Sequence, residues 1–228
     1  MSASPVILGI DATTGRCSVA LAIGASVLTR EASTRTAQTA TVLDRVETLL
    51  AEAGLARSAV DAIACTCGPG AFTGVRVSTG IGQGLATGLD RPVIGLSTLQ
   101  VVAETALRGD VAASGVLVLQ DARMGEVYGG LYGYGNAVGP ASTAIREDWL
   151  GEPVVPALPA GTWLGAGSGF AAYPSLMQAS GLITIDAGCS PDMGAAMPLA
   201  QQRLAAGHTC PGPSLEPVYL RHSVTGPR

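Results

Sequence analysis

One short pattern occurs twice in this chain, and it narrows the possible folds more than any other feature. The apolar run from Val6 ends in Asp11-Ala12-Thr13-Thr14-Gly15, and the apolar run from Val116 ends in Asp121-Ala122-Arg123-Met124-Gly125. Each reads as a buried strand closed by an acidic turn, and Leu21 and Leu131 follow at the same offset. Two matching strand–turn–strand starts point to a duplicated half. After the first start, strands are expected over residues 17–23 and 27–32. A helix follows over residues 39–53, with Val42, Val46, Leu49, Leu50 and Ala53 on one face and Gly54 as its stop. Next come a strand over 62–67, a glycine loop, a helix over 73–89 and a strand over 91–96. Ser97-Thr98-Leu99-Gln100 is a capping box opening a helix that runs to Leu107. Beyond the second start the signals thin to a strand over 161–165, a helix over 192–206 and a terminal strand or docking segment over 216–220. The expected organisation is α/β, with an N-terminal half over residues 1–108 and a smaller C-terminal half over 109–228.

Composition restricts the partners. Of 228 residues, 47% are hydrophobic and 13% charged, against a usual charged share of about 25%. Such a chain buries most of its surface or hides part of it against another molecule. A net charge of −4 does not suit a protein that grips nucleic acid alone across a broad basic face. Five cysteines in no regular spacing do not form a disulfide framework, and Cys65 and Cys67 suit small core positions. No apolar run is long enough for a membrane span, and the first residues lack a basic leader region, so a cytoplasmic protein is expected.

The loop Gly68-Pro69-Gly70-Ala71-Phe72-Thr73-Gly74-Val75-Arg76 joins a strand to a helix, the layout of an anion cradle. It lacks the lysine of a phosphate-activating loop, and the chain contains no lysine at all. The helix after it carries Gly80, Gly84 and Gly88 along one face, with Gly82 nearby. An interior helical glycine costs about 0.5–1 kcal/mol relative to alanine. Close approach of a partner helix offsets that cost, which makes the two helices over 39–53 and 73–89 a candidate partner-binding face. Asp11 and Asp121, with Thr13, are candidates for metal–phosphate coordination; equally, each Asp can serve its own turn as a local acceptor. Arg123 and Glu126 can form a surface pair or belong to an interface. His208 and His222 lack metal-ligand spacing, and no Gly-x-Ser-x-Gly elbow is present, so a peptidase is disfavoured.

Two halves with facing acidic turns resemble the duplicated actin-like ATPase (ASKHA) fold, here as two βββαβα-type halves with the second reduced. Within that group the chain resembles the TsaB (YeaZ) family. The residues that carry the resemblance are Ile10-Asp11-x-Thr13, Gly68–Arg76 with its glycine-rich helix, Gly95–Leu99, Asp121–Tyr128 and Glu216–Arg221. The resemblance implies a non-catalytic scaffold subunit that binds TsaD, with TsaE joining, in threonylcarbamoyl transfer to the adenosine beside the tRNA anticodon. It implies no cofactor and no metal of its own, ATP and metal belonging to TsaD and TsaE. It further implies contact with tRNA only through the complex, and a homodimer when TsaD is absent. Its partner surface maps to Val42, Val46, Leu49, Arg76, Gly80 and Gly84. A stand-alone small ATPase or kinase using Asp11 and Asp121 is the competing expectation.

Overall fold

The computed structural model describes residues 4–33, 38–108, 112–134, 141–178 and 181–221; His222 lies outside them. Strand β1 (Val6–Asp11) turns antiparallel into β2 (Arg16–Ile23), and β3 (Ser26–Ser33) continues the meander. Helix α1 (Gln38–Glu52) leads to β4 (Ala62–Thr66), which lies parallel beside β1. Helix α2 (Phe72–Leu89), strand β5 (Val93–Leu96) and helix α3 (Thr98–Leu107) complete the first half, whose sheet order is β3-β2-β1-β4-β5.

The second half repeats that order. Strands β6 (Gly115–Arg123), β7 (Glu126–Gly133) and β8 (Thr143–Gly151) form the meander, and β9 (Trp163–Ala166) and β10 (Leu182–Asp186) lie parallel on the other side of β6. The sheet β8-β7-β6-β9-β10 matches the first strand for strand. The duplication inferred from the two acidic turns is therefore a duplication of whole five-stranded sheets. Reduction of the second half concerns its helices: α4 (Gly169–Ala172) is a single turn. The later helix, α5 (Met193–Ala205), returns to the first sheet. A division at residue 108 thus separates the sheets but not all the helices.

Burial explains the layering. On one face of the first sheet, α1 and α2 insert Val42, Val46, Leu49, Leu50, Ile81 and Ala86. On the other face, Ile7, Ala20, Ala22, Ala62, Ala64, Ile94 and Leu96 meet Val101 of α3 and Met193, Ala196, Met197 and Ala200 of α5. The opposite side of α3, through Leu99, Val102, Ala103 and Leu107, packs on Val116, Val118, Tyr132 and Leu164 of the second sheet. Helix α3 is thus the shared wall between the halves.

Its start is also a polar joint. Ser97 caps α3, accepting the Leu99 and Gln100 N–H groups at 3.2 and 3.3 Å, as the capping box predicts. The reciprocal half of the box is absent. Gln100 instead donates to the Ser142 carbonyl and accepts from Arg203. The Ser97 hydroxyl donates to Asp148 Oδ2 at 2.5 Å, and Tyr132 donates to Asp148 Oδ1. Burial raises the Asp148 pKa, while both hydroxyls pull it down.

Candidate functional site

A cleft of about 730 Å³ opens between the two sheets. Its walls come from the loops after β1, β4, β6, β9 and β10 together with the start of α3. It therefore lies beyond the carboxyl ends of parallel strands, the usual ligand crevice of open α/β sheets.

The two acidic turns differ in their fate here. Thr13 and Asp121 line the cleft, whereas Asp11 does not. Asp11 is 1% exposed. Its Oδ1 accepts the Thr13 N–H at 3.2 Å, the Thr13 hydroxyl at 2.5 Å and the Thr66 hydroxyl at 2.6 Å. Its Oδ2 is buried without a hydrogen-bond partner. Burial raises its pKa, and the hydroxyl bonds counter only part of that. What seals Asp11 is the seating of α2: a Cβ on Gly74 would stand 2.6 Å from the Thr13 carbonyl oxygen. Only glycine lets the helix rest on that backbone. Asp11 accordingly serves its turn and is withdrawn as a cofactor-binding candidate.

Asp121 is held at the cleft wall by its own turn. Its Oδ1 accepts the Arg123 N–H at 2.9 Å, and Oδ2 pairs with the Arg123 guanidinium at 3.1 Å. Arg123 and Met124 both take left-handed backbone angles, φ +64° and +57°, each a strained choice for a side chain of this size. The Arg123–Glu126 pair considered from sequence does not form as such. Glu126 pairs with Arg221 at 2.7 Å, and Arg221 also donates to the Ala122 carbonyl at 3.0 Å. Among the described residues, no group of three or more His, Cys, Asp or Glu is arranged to hold a metal ion.

The segment over 216–220 is not a strand; it docks. The Val218 N–H reaches the Cys67 carbonyl at 2.7 Å, and Gln83 donates to the Leu215 carbonyl at 2.7 Å. From there the chain crosses the cleft mouth to Arg221 and the second acidic turn. The glycine loop is fixed by the same neighbourhood, the Gly68 carbonyl accepting the Thr98 N–H at 2.9 Å. The loop thus sets the position of α2.

The interface candidates divide. Val42, Val46 and Leu49 are buried against the first sheet, so their apolar stripe is covered within the chain. Their periodicity marked an apolar face correctly but could not say that the sheet covers it. Arg76, Gly80 and Gly84 lie on the outer face of α2, exposed. A Cβ on Gly80, Gly84 or Gly88 would meet nothing within 4 Å. Gly82, on the opposite side, packs on Cys65. At the head of the open face, the Arg76 guanidinium carbon sits 3.6 Å from the Phe72 ring centre, and Arg76 Nε donates to the Tyr219 hydroxyl at 2.9 Å. The Phe72 and Tyr219 rings are 5.7 Å apart. Tyr219 enters this cluster through a contact distant in sequence, which no local pattern could reveal. The exposed Phe72, 53% accessible, was legible only as a loop residue. No described helix is long and apolar enough to cross a membrane.

Comparison with known proteins agrees with this geometry. A family model described as "TsaD: tRNA N6-adenosine threonylcarbamoyltransferase" matches residues 30–151. The tRNA threonylcarbamoyladenosine biosynthesis protein TsaB of Escherichia coli is 37% identical, over 96% of this chain and 95% of its own. The protein of that name from Haemophilus influenzae is 34% identical over 96% and 94%. The solved structure of YeaZ from Pseudomonas aeruginosa superimposes with a TM-score of 0.86 at 36% identity, covering 95% of this chain and all of that one. With near-complete coverage of relatives and the same fold, the chain belongs to the TsaB (YeaZ) family.

Proposed function

We propose that this chain is the scaffold subunit of the cytoplasmic machinery that makes threonylcarbamoyladenosine on tRNA. In this reading it binds TsaD, with TsaE joining, and performs no bond-making step itself. The observation that carries the reading is the outer face of α2: three glycines that no part of the described chain covers, continuous with the Phe72–Arg76–Tyr219 cluster. A bare glycine face lets a second helix approach backbone to backbone, as small-residue faces do elsewhere. The names of the relatives supply the pathway. Without TsaD, the same face is available to a second copy of the chain. tRNA is met through the assembled complex, consistent with the acidic net charge. ATP and metal chemistry then reside in TsaD and TsaE.

Reconstitution tests this directly. The wild-type chain with TsaD, TsaE, ATP, threonine, bicarbonate and tRNA is expected to yield modified tRNA, and the chain alone none. Gly84→Arg places a long side chain on the open face, and is expected to abolish co-elution with TsaD while leaving the fold intact. Unchanged complex formation would sink the assignment of the face. The competing ATPase reading has against it the sealed position of Asp11, whose Oδ1 is already bound by two hydroxyls.

A further inference from the structure

We propose that the segment Leu215–Arg221 is a latch that holds the two halves at one fixed opening, so that one half swings against the other only when this strap lets go. Its anchors fall on both halves. On the first half, Leu215 is buried in a seat shaped by glycines. A Cβ on Gly95 would stand 2.9 Å from one Leu215 methyl, and Gly82 faces the other. Three residues on, the Val218 N–H donates to the Cys67 carbonyl, and the Val218 carbonyl presses on Gly68. A Cβ on Gly68 would stand 2.5 Å from that oxygen, and Gly68 has a φ of +112°, so only glycine leaves the strap its place. On the second half the anchor is Arg221, whose side chain is 15% exposed. Its guanidinium grips both sides of the acidic turn, through the Ala122 carbonyl and the Glu126 carboxylate, and reaches Met124 Sδ at 3.2 Å.

The link between these anchors is short and stiff. Val218 and Arg221 are three residues apart, so the backbone between them spans at most about 10–11 Å. Just before it, Pro217 has a fixed φ and holds Glu216 extended. The halves are thus tied along their shared wall by α3 and again by the strap across the mouth. A swing of one half about α3 changes the width of the mouth, and a taut link forbids it unless an anchor breaks. Arg221 is the costly anchor to break, because its charge would be left largely buried without its partner.

The test is the distance between the halves, read by double electron–electron resonance in the full chain. Spin labels are placed by Thr48→Cys on α1 and Ala144→Cys on β8, both exposed positions. Cys210→Ser removes the half-exposed native thiol, and the other four cysteines are buried. With the strap intact, one narrow distance is expected. Arg221→Ala should broaden the distribution and add a longer component. A chain ending at Glu216, which keeps Leu215 and loses the latch, should broaden it further; if circular dichroism shows that this chain does not fold, Arg221→Ala decides alone. Amide exchange by NMR supplies a readout that a merely local role would not move. Because the anchors share one taut link, Arg221→Ala should speed exchange at the Val218 N–H, on the other half, by about tenfold or more. A broad distribution with the strap intact, an unchanged distribution in Arg221→Ala, or unchanged exchange at Val218 would each overturn the proposal.

Discussion

Replacing Gly80, Gly84 and Gly88 together by alanine should separate the stability of this chain from its assembly. Each methyl would enter open space, since a Cβ at any of the three positions meets nothing within 4 Å. The substitution therefore costs no packing, and it removes the conformational freedom that glycine brings to an unfolded chain. At about 0.5–1 kcal/mol per interior position, the three changes should stabilise the isolated chain by about 1.5–3 kcal/mol. For a chain of this size that corresponds to a rise of about 3–12 °C in Tm. The assay is a thermal melt followed by circular dichroism, at a concentration where light scattering reports a monomer. In parallel, TsaD affinity is measured by biolayer interferometry. Three methyls on a face that meets another helix backbone hold the helices apart, so the stabler variant should bind TsaD more weakly. A lowered Tm would refute the claim that the face is open in the free chain. A raised Tm with undiminished TsaD affinity would refute the claim that the face is where the partner sits.

Leu49→Ala should cost about 2–5 kcal/mol in urea unfolding, because Leu49 is fully buried, whereas Leu43→Ala, at a position 41% exposed, should change stability little. Asp11→Asn keeps an oxygen for the Thr13 and Thr66 hydroxyls and removes an acid whose pKa burial has raised. A raised folded-state pKa gives stability that is complete below the ordinary carboxylate range and is lost as pH rises through the folded value. The variant should flatten that loss, read as Tm against pH, and be at least as stable as wild type at neutral pH. Arg221→Ala frees the Ala122 carbonyl and Glu126; a loss of about 1–2 kcal/mol in denaturant unfolding, with faster proteolysis at the second acidic turn, is expected.

How much of this was legible in the sequence depended on how far each signal reached along the chain. The repeated acidic turn disclosed the opening hairpin of each half, since strand and turn chemistry are local. The edge strands β8 and β10 escaped notice for a physical reason. Neither strand buries a residue fully, and apolar Ile145 and Ile183 are among their exposed positions, so neither carries the inside–outside alternation of a half-buried strand. The glycine face of α2 was visible as spacing, which could not say that nothing else in the described chain lies against it. The stripe of α1 was equally visible and was misassigned, because periodicity names the apolar side but not its cover. Asp11 and Asp121 look alike in sequence. They differ because Gly74 lets α2 settle onto one turn, a contact made across sequence distance. The cleft joins Thr98, Arg123 and Tyr219 from three separate regions, beyond any local motif.

The return of α5 to the first sheet also bears on how the chain is made. Ile7, Ala20, Ala22, Ala62, Ala64, Ile94 and Leu96 form an apolar surface that Met193, Met197 and Ala200 help to cover. On a ribosome, the first sheet can pair its strands long before residues 193–205 emerge. Through that interval the nascent chain carries an uncovered greasy sheet, a state that invites aggregation or chaperone capture. Most of the second half, through α5, must be synthesised before the first sheet is covered. Docking of α5 is thus the step that takes this sheet face out of water.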